Sequence, residues 1–219
     1  MNRPSQLALM LSLALTVPLI ALPMAASAHP MAPAGHEFAA APSVLAQTLR
    51  SWWLGHVEAV RTYLIAVHDK KPKQATAAAD HVVANAKLIA AAVGSFYGKP
   101  ADAKMLTLLA GHWGAVKAYI DASASNDDAG RNQAIQTLNA NAKDIADFLS
   151  GANPYLPQAT LLSLLTTHGA HHIAQTQQVF AGDKQAEAAT WKAMRAHMVM
   201  IGDALAGGIA KQFPDKVKG

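Results

Sequence analysis

The chain contains no cysteine among its 219 residues. That absence removes disulfides, zinc–thiolate and iron–sulfur sites, covalently attached c-type haem and thiol catalysis in one step, so any metal must be held by His, Asp, Glu, Met or backbone. Glutamate is almost as scarce. Only Glu37, Glu58 and Glu187 occur, too few for a di-iron carboxylate centre, which needs several inward glutamates and a Glu-x-x-His spacing. No glycine-rich phosphate loop and no nucleophile elbow is present. Positive charge is modest: the net charge is +4, and only "HDKKPK" and "PDKVKG" are densely basic, which argues against a nucleic-acid partner.

The one long apolar run lies at the start. Arg3 precedes Leu7–Leu22, and "PMAASAHP" then sets Ala26 and Ala28 at a small-x-small spacing. Residues 1–28 therefore read as a secretory signal peptide, and the run is too short for a membrane span. Export to the periplasm or beyond is the expectation, with no membrane span in the mature chain. Residues 29–43, "HPMAPAGHEFAAAPS", are rich in Ala and Pro without a helical period and read as a flexible arm. Residues 44–214 form a single domain, and 215–219 a short tail.

Beyond the arm, apolar residues recur at spacings of three and four in an Ala- and Leu-rich background, an all-α pattern. Breakers at 69–73, 97–100, 125–130, 150–157 and 181–185 divide it into six helices. "ANAKLIA" at 84–90 returns as "ANAKDIA" at 140–146, and "GHVEAVRTY" at 55–63 returns as "GHWGAVKAY" at 111–119. One further step of the same length reaches "THGAHHIAQ" at 167–175. The fold expected is six antiparallel helices arranged as three repeated helical hairpins.

The repeat organises the histidines, of which there are ten. His56, His112 and His168 fall in the apolar stripes of the first, third and fifth helices, and Asn85, Asn141 and His197 in the stripes of the returning helices. Partners lie equidistant from the intervening turns, so all six are expected in one layer across the core. His172 replaces Val60 and Val116 one turn below that layer. It is expected to support the layer together with Asn85, Asn141, Tyr63 and Tyr119. His171 matches Ala59 and Ala115 and is expected at a helix flank.

Two readings of the layer follow. In the first, His56, His112, His168 and His197 converge on a transition-metal ion, zinc, copper or iron, because neutral imidazoles each need a donor and an acceptor partner and two asparagines cannot serve all of them. Haem b between two axial histidines is a variant, though it needs a wide slot beside Trp53, Leu109 and Leu165. A three-histidine centre with a water ligand would make the protein an enzyme. In the second, the layer only fixes helix register in a non-enzymatic envelope scaffold or interaction module. The mature N-terminus offers a separate copper candidate in His29, with His36 close by.

The stretches "NAKDIADFLSGANPYLP" (141–157) and "MIGDALAGGIAKQFP" (200–214) resemble the signatures of a widespread bacterial family of small exported helical proteins. In that family the first motif runs Asn-Ala-Asp-Glu-Ile-Ala, then Phe-Leu-Ser, Ala-Asn-Pro and Trp-Pro. The resemblance covers the domain and implies a helical fold with histidines at the positions of His56, His112, His168 and His197. This chain departs from it at Lys143 and Asp144, at Leu156 in place of tryptophan, and at Arg195 and Ala196, where a second histidine often precedes the last. It implies no activity. The sugar-transferase and amino-acid-kinase names attached to some members presuppose sheet folds and phosphate loops that this pattern lacks.

Overall fold

The computed structural model describes residues 43–217. The expected signal peptide, the arm as far as residue 42 and the N-terminal copper candidates lie outside the described residues; Ser43, expected as the arm's last residue, opens the first helix. Six helices follow one another: α1 (Ser43–His68), α2 (Pro72–Tyr97), α3 (Lys99–Ala124), α4 (Asp128–Ala152), α5 (Gln158–Ala181) and α6 (Lys184–Gln212), with a closing 3-10 turn at Pro214–Lys216. There is no strand among the described residues, and none of the described helices is long and apolar enough to cross a membrane.

The three hairpin turns are the same turn made three times. The backbone N–H groups of Lys71, Asp127 and Asp183 donate to the carbonyls of Ala66, Ala122 and Gln178 at 2.8, 2.8 and 3.0 Å, which satisfies carbonyls that each helix end leaves open. The residue before each donor, Lys70, Asn126 or Gly182, takes a positive φ of 56°, 57° or 72°. Only the third copy uses glycine there, with no penalty for the conformation. The returning helices start on Pro72 at a first-turn position, on Asp127, whose carboxylate accepts from Gly130 N, and on Asp183, which accepts from Ala186 N.

Each helix packs on its neighbours in chain order, and α6 closes back on α1, while α1, α3 and α5 also touch one another. The result is a closed ring with pseudo-threefold symmetry: the odd helices lie innermost and the even helices cover the seams between them. Closure at α1–α6 depends on a close approach. A Cβ at Gly202 would lie 3.1 Å from the backbone nitrogen of Arg50 and 3.2 Å from its Cα; beside it, the Arg50 guanidinium donates two hydrogen bonds to Asp203, at 2.5 and 2.8 Å. Gly202→Ala is expected to push α6 off α1 and lower stability by about 1–3 kcal/mol, measurable by urea unfolding; an unchanged midpoint would show that the seam yields freely.

The opposite end is held by the "ANP" turn between α4 and α5. Asn153, fully buried, accepts from the Tyr155 N–H through Oδ1 and donates to Tyr97 Oη, each at 2.8 Å. Tyr97 in turn donates to Gln212. This network ties the turn to α2 and α6.

Candidate metal centre

Apolar residues fill both halves of the bundle. Leu49, Trp53, Met105, Leu109, Leu161 and Leu165 belong to one cluster, and Val60, Tyr63, Trp113, Val116 and Ile120 to another. His56 and His112 fall between the two clusters on α1 and α3, and His168 follows the first cluster on α5. Because these three positions are equivalent in the repeat and lie on the inner helices, their rings converge near the pseudo-threefold axis. Ring centroids are 5.8 Å apart for His56–His112, 5.8 Å for His56–His168 and 5.1 Å for His112–His168.

The fourth ring is that of His172, not His197. His172 stands 4.5 Å from His168 and about equally far from His56 and His112, at 6.1 and 6.0 Å between centroids. It stands one turn further along α5, and because residues at i and i+4 are neighbours on one helix face, its ring meets that of His168 and caps the triangle of the other three. One ring nitrogen from each of His56, His112, His168 and His172 lies within 4.8 Å of all the others. The four side chains are between 1% and 5% exposed.

His197, expected in this set, lies outside it for a geometric reason. It projects from an outer helix and reaches the seam, where Nε2 donates to the carbonyl of Leu164 at 2.8 Å. Asn85 does the same to Trp52 at 2.9 Å and Asn141 to Leu108 at 3.0 Å. Each donor stands 33 residues after its acceptor. The expected single layer thus divides by helix type: outer-helix members stitch the seams and inner-helix members converge. Tyr63 and Tyr119, also expected to support the site, link neighbouring inner helices one level away. Tyr63 donates to Asp121 at 2.7 Å, and Tyr119 accepts from Gln177 at 3.1 Å.

The converging rings are short of hydrogen-bond partners, as are the side-chain carbonyls of Asn85 and Asn141 at the seams. Nε2 of His56, Nε2 of His112 and Nδ1 of His168 are buried without a hydrogen-bond partner. The one polar contact within the group is Nε2 of His172 to Nε2 of His168, 3.2 Å. That separation is close to the edge of a tetrahedron of nitrogens around a metal, about 3.3–3.4 Å for metal–nitrogen bonds of about 2.0–2.1 Å.

Burial also decides the protonation state. It pulls His56 down to about 3, with repulsion from His112 acting in the same direction, and His112 down to about 4, slightly opposed by the Asn141 amide. His168 and His172 are pushed well below the ordinary histidine value, first by burial and then by one another's neighbours. All four are therefore neutral at pH 7, the form that ligates metals. The nearest buried carboxylate in the α5–α6 region, Glu187, is already engaged by Arg61 at 2.7 and 3.0 Å and by Gln175 at 2.8 Å. This partly buried triad carries no repeat signature and is not visible in the sequence pattern.

A haem between two of these rings would have to displace the other two, since every pair is within 6.1 Å. The fold and the site together define an all-α, pseudo-threefold bundle with a buried four-histidine cluster that could hold a metal ion. No family model, curated protein or solved structure matches the chain.

Proposed function

We propose that the protein is an exported metal-binding bundle in which His56, His112, His168 and His172 hold one transition-metal ion. The observation that carries this reading is that His56, His112, His168 and His172 are buried and neutral and each offers a ring nitrogen within 4.8 Å of the others, with Nε2 of His56, Nε2 of His112 and Nδ1 of His168 left without a partner. Each such nitrogen left without a partner costs roughly 1–3 kcal/mol, which a coordinated ion removes. Asn85, Asn141 and His197 each donate to a seam carbonyl. The converging four meet one another around the axis instead, with one polar contact, His168 to His172, among them.

Four imidazoles saturate a tetrahedral ion and leave no position for water or substrate, which favours holding or carrying the ion over hydrolysis. An all-nitrogen set suits zinc, copper or iron. Export is supported by the apolar run and the small-x-small site within residues 1–28.

Joint replacement His56→Leu with His112→Leu tests the assignment. Metal-free stability is expected to hold or rise, because apolar groups replace buried polar ones of similar size. Uptake of zinc or copper, measured by elemental analysis after dialysis, is expected to vanish. A parent chain that takes up no more of either ion than the double variant would overturn the proposal.

A further inference from the structure

Five histidines break the threefold repeat: His68 and His81 in its first copy, and three in its last. His172 stands where the other copies have Val60 and Val116, His171 where they have Ala59 and Ala115, and His197 where they have Asn85 and Asn141. His172 is the fourth member of the buried cluster. His171 and His197 form a pair of their own, with ring centroids 5.3 Å apart at an interplanar angle of 68°, at the seam between α5 and α6.

The pair has the chemistry of a two-imidazole ligand. His197 donates from Nε2 to Leu164. That bond fixes the proton on Nε2 and leaves the Nδ1 lone pair for another partner, the arrangement common to metal-bound histidines whose far nitrogen is anchored to a carbonyl. An asparagine makes the same seam bond in the other two copies, so the bond alone does not require histidine. On His171, Nδ1 is buried without a partner although the residue as a whole is partly exposed. His168 lies three residues before His171, a spacing that places the two side chains next to each other on one helix surface. One of them belongs to the sealed cluster and the other is partly exposed.

The geometry points to His171 and His197 as an entry site that captures a transition-metal ion from solvent and passes it, through His168, to the buried cluster. The inference rests on the four-histidine reading above. The step is ligand exchange without change of oxidation state: a hydrated ion loses waters as the lone pairs of His171 and His197 arrive, and then exchanges these for the nitrogens of the inner set. Such a site matters because the inner rings are almost wholly out of solvent. An ion held beside them arrives by an intramolecular step in place of a rare encounter with a transiently opened core.

His171→Ala and His197→Asn test the proposal with residues that the fold already carries at the equivalent positions, and His197→Asn keeps a donor for the Leu164 carbonyl. Zinc uptake by the metal-free chain is followed in time against a chromophoric chelator, and the final stoichiometry and affinity are measured separately. Each variant is expected to reach the parent's single-ion stoichiometry, with affinity within about threefold, while loading slows by about tenfold or more as the local capture step is lost. Loading at the parent's rate in both variants overturns the entry site and leaves the inner cluster standing. A parent chain that binds no zinc at equilibrium overturns both.

Discussion

His112→Ala and the volume-conserving His112→Gln are expected to bind neither zinc nor copper at ion concentrations that saturate the parent. The ring of His112 is within 6.0 Å of each of the other three, so its removal takes one corner from the coordination polyhedron and leaves three imidazoles facing an apolar gap. Loss of an outer partner that merely orients a ligand costs about 10–100-fold in affinity, and loss of a ligand itself should exceed the upper end of that range. The effect is visible in stability as well. An ion at about 100 times its dissociation constant stabilises a folded chain by about 2.7 kcal/mol. The parent should therefore gain that much on adding zinc, and both variants should gain none. Elemental analysis and thermal unfolding with and without zinc check the two halves independently; a variant that keeps a full equivalent of ion removes His112 from the site.

The metal-free protein is expected to lose stability steeply between pH 6.5 and 4. In the unfolded chain each of the four imidazoles takes up a proton near pH 6.5, whereas the folded protein keeps them neutral down to about 3 for His56 and about 4 for His112, with His168 and His172 lowered in the same direction. Across that window the unfolded state binds more protons, so lowering the pH favours unfolding. Full stability is present above about pH 6.5 and is lost as the pH falls toward the folded-state values. One imidazole contributes up to about 1.4 kcal/mol per pH unit and four up to about 5 kcal/mol, against a total stability of about 5–15 kcal/mol for an ordinary domain. Urea unfolding of the metal-free chain at pH 7.5, 6.0, 5.0 and 4.5 measures the slope. In the His56→Leu, His112→Leu double variant the slope should fall to about half. Equal slopes in parent and variant would show that other groups set the acid limit.

Much of this architecture is legible in the sequence alone. Helix boundaries followed from Pro72, Gly98, Asp127, Pro157 and Gly182, whose backbone preferences act locally. The repeat was legible because "ANAK" and "GH" recur in register, and register along a helix predicts height. Height is not direction, however. His56 and His197 were expected in one layer, but whether a stripe residue faces the axis or a seam depends on whether its helix is inner or outer, a property of ring closure that no local pattern records. His172 stands one turn from the other three rings, as counting residues places it; what the pattern left open was that a ring at that height closes the set as its fourth corner. The spacing of four between His168 and His172 was the available signal. Ring closure itself left only a faint trace, in the small residues of "GDALAGGIA" that let α6 approach Arg50.

The turns at Lys70, Asn126 and Gly182 show one hairpin built three times in a single polypeptide. Three separate copies of such a hairpin, associating about a true threefold axis, would have to present side chains to that axis in sets of three. Such an assembly could offer His56 and its two counterparts, but a valine-to-histidine change one turn away would add three rings at once, too many for a tetrahedral ion. Covalent fusion releases the copies from that constraint. The last hairpin alone carries His172, so a chain of duplicated parts can supply four donors from a scaffold whose symmetry allows three or six.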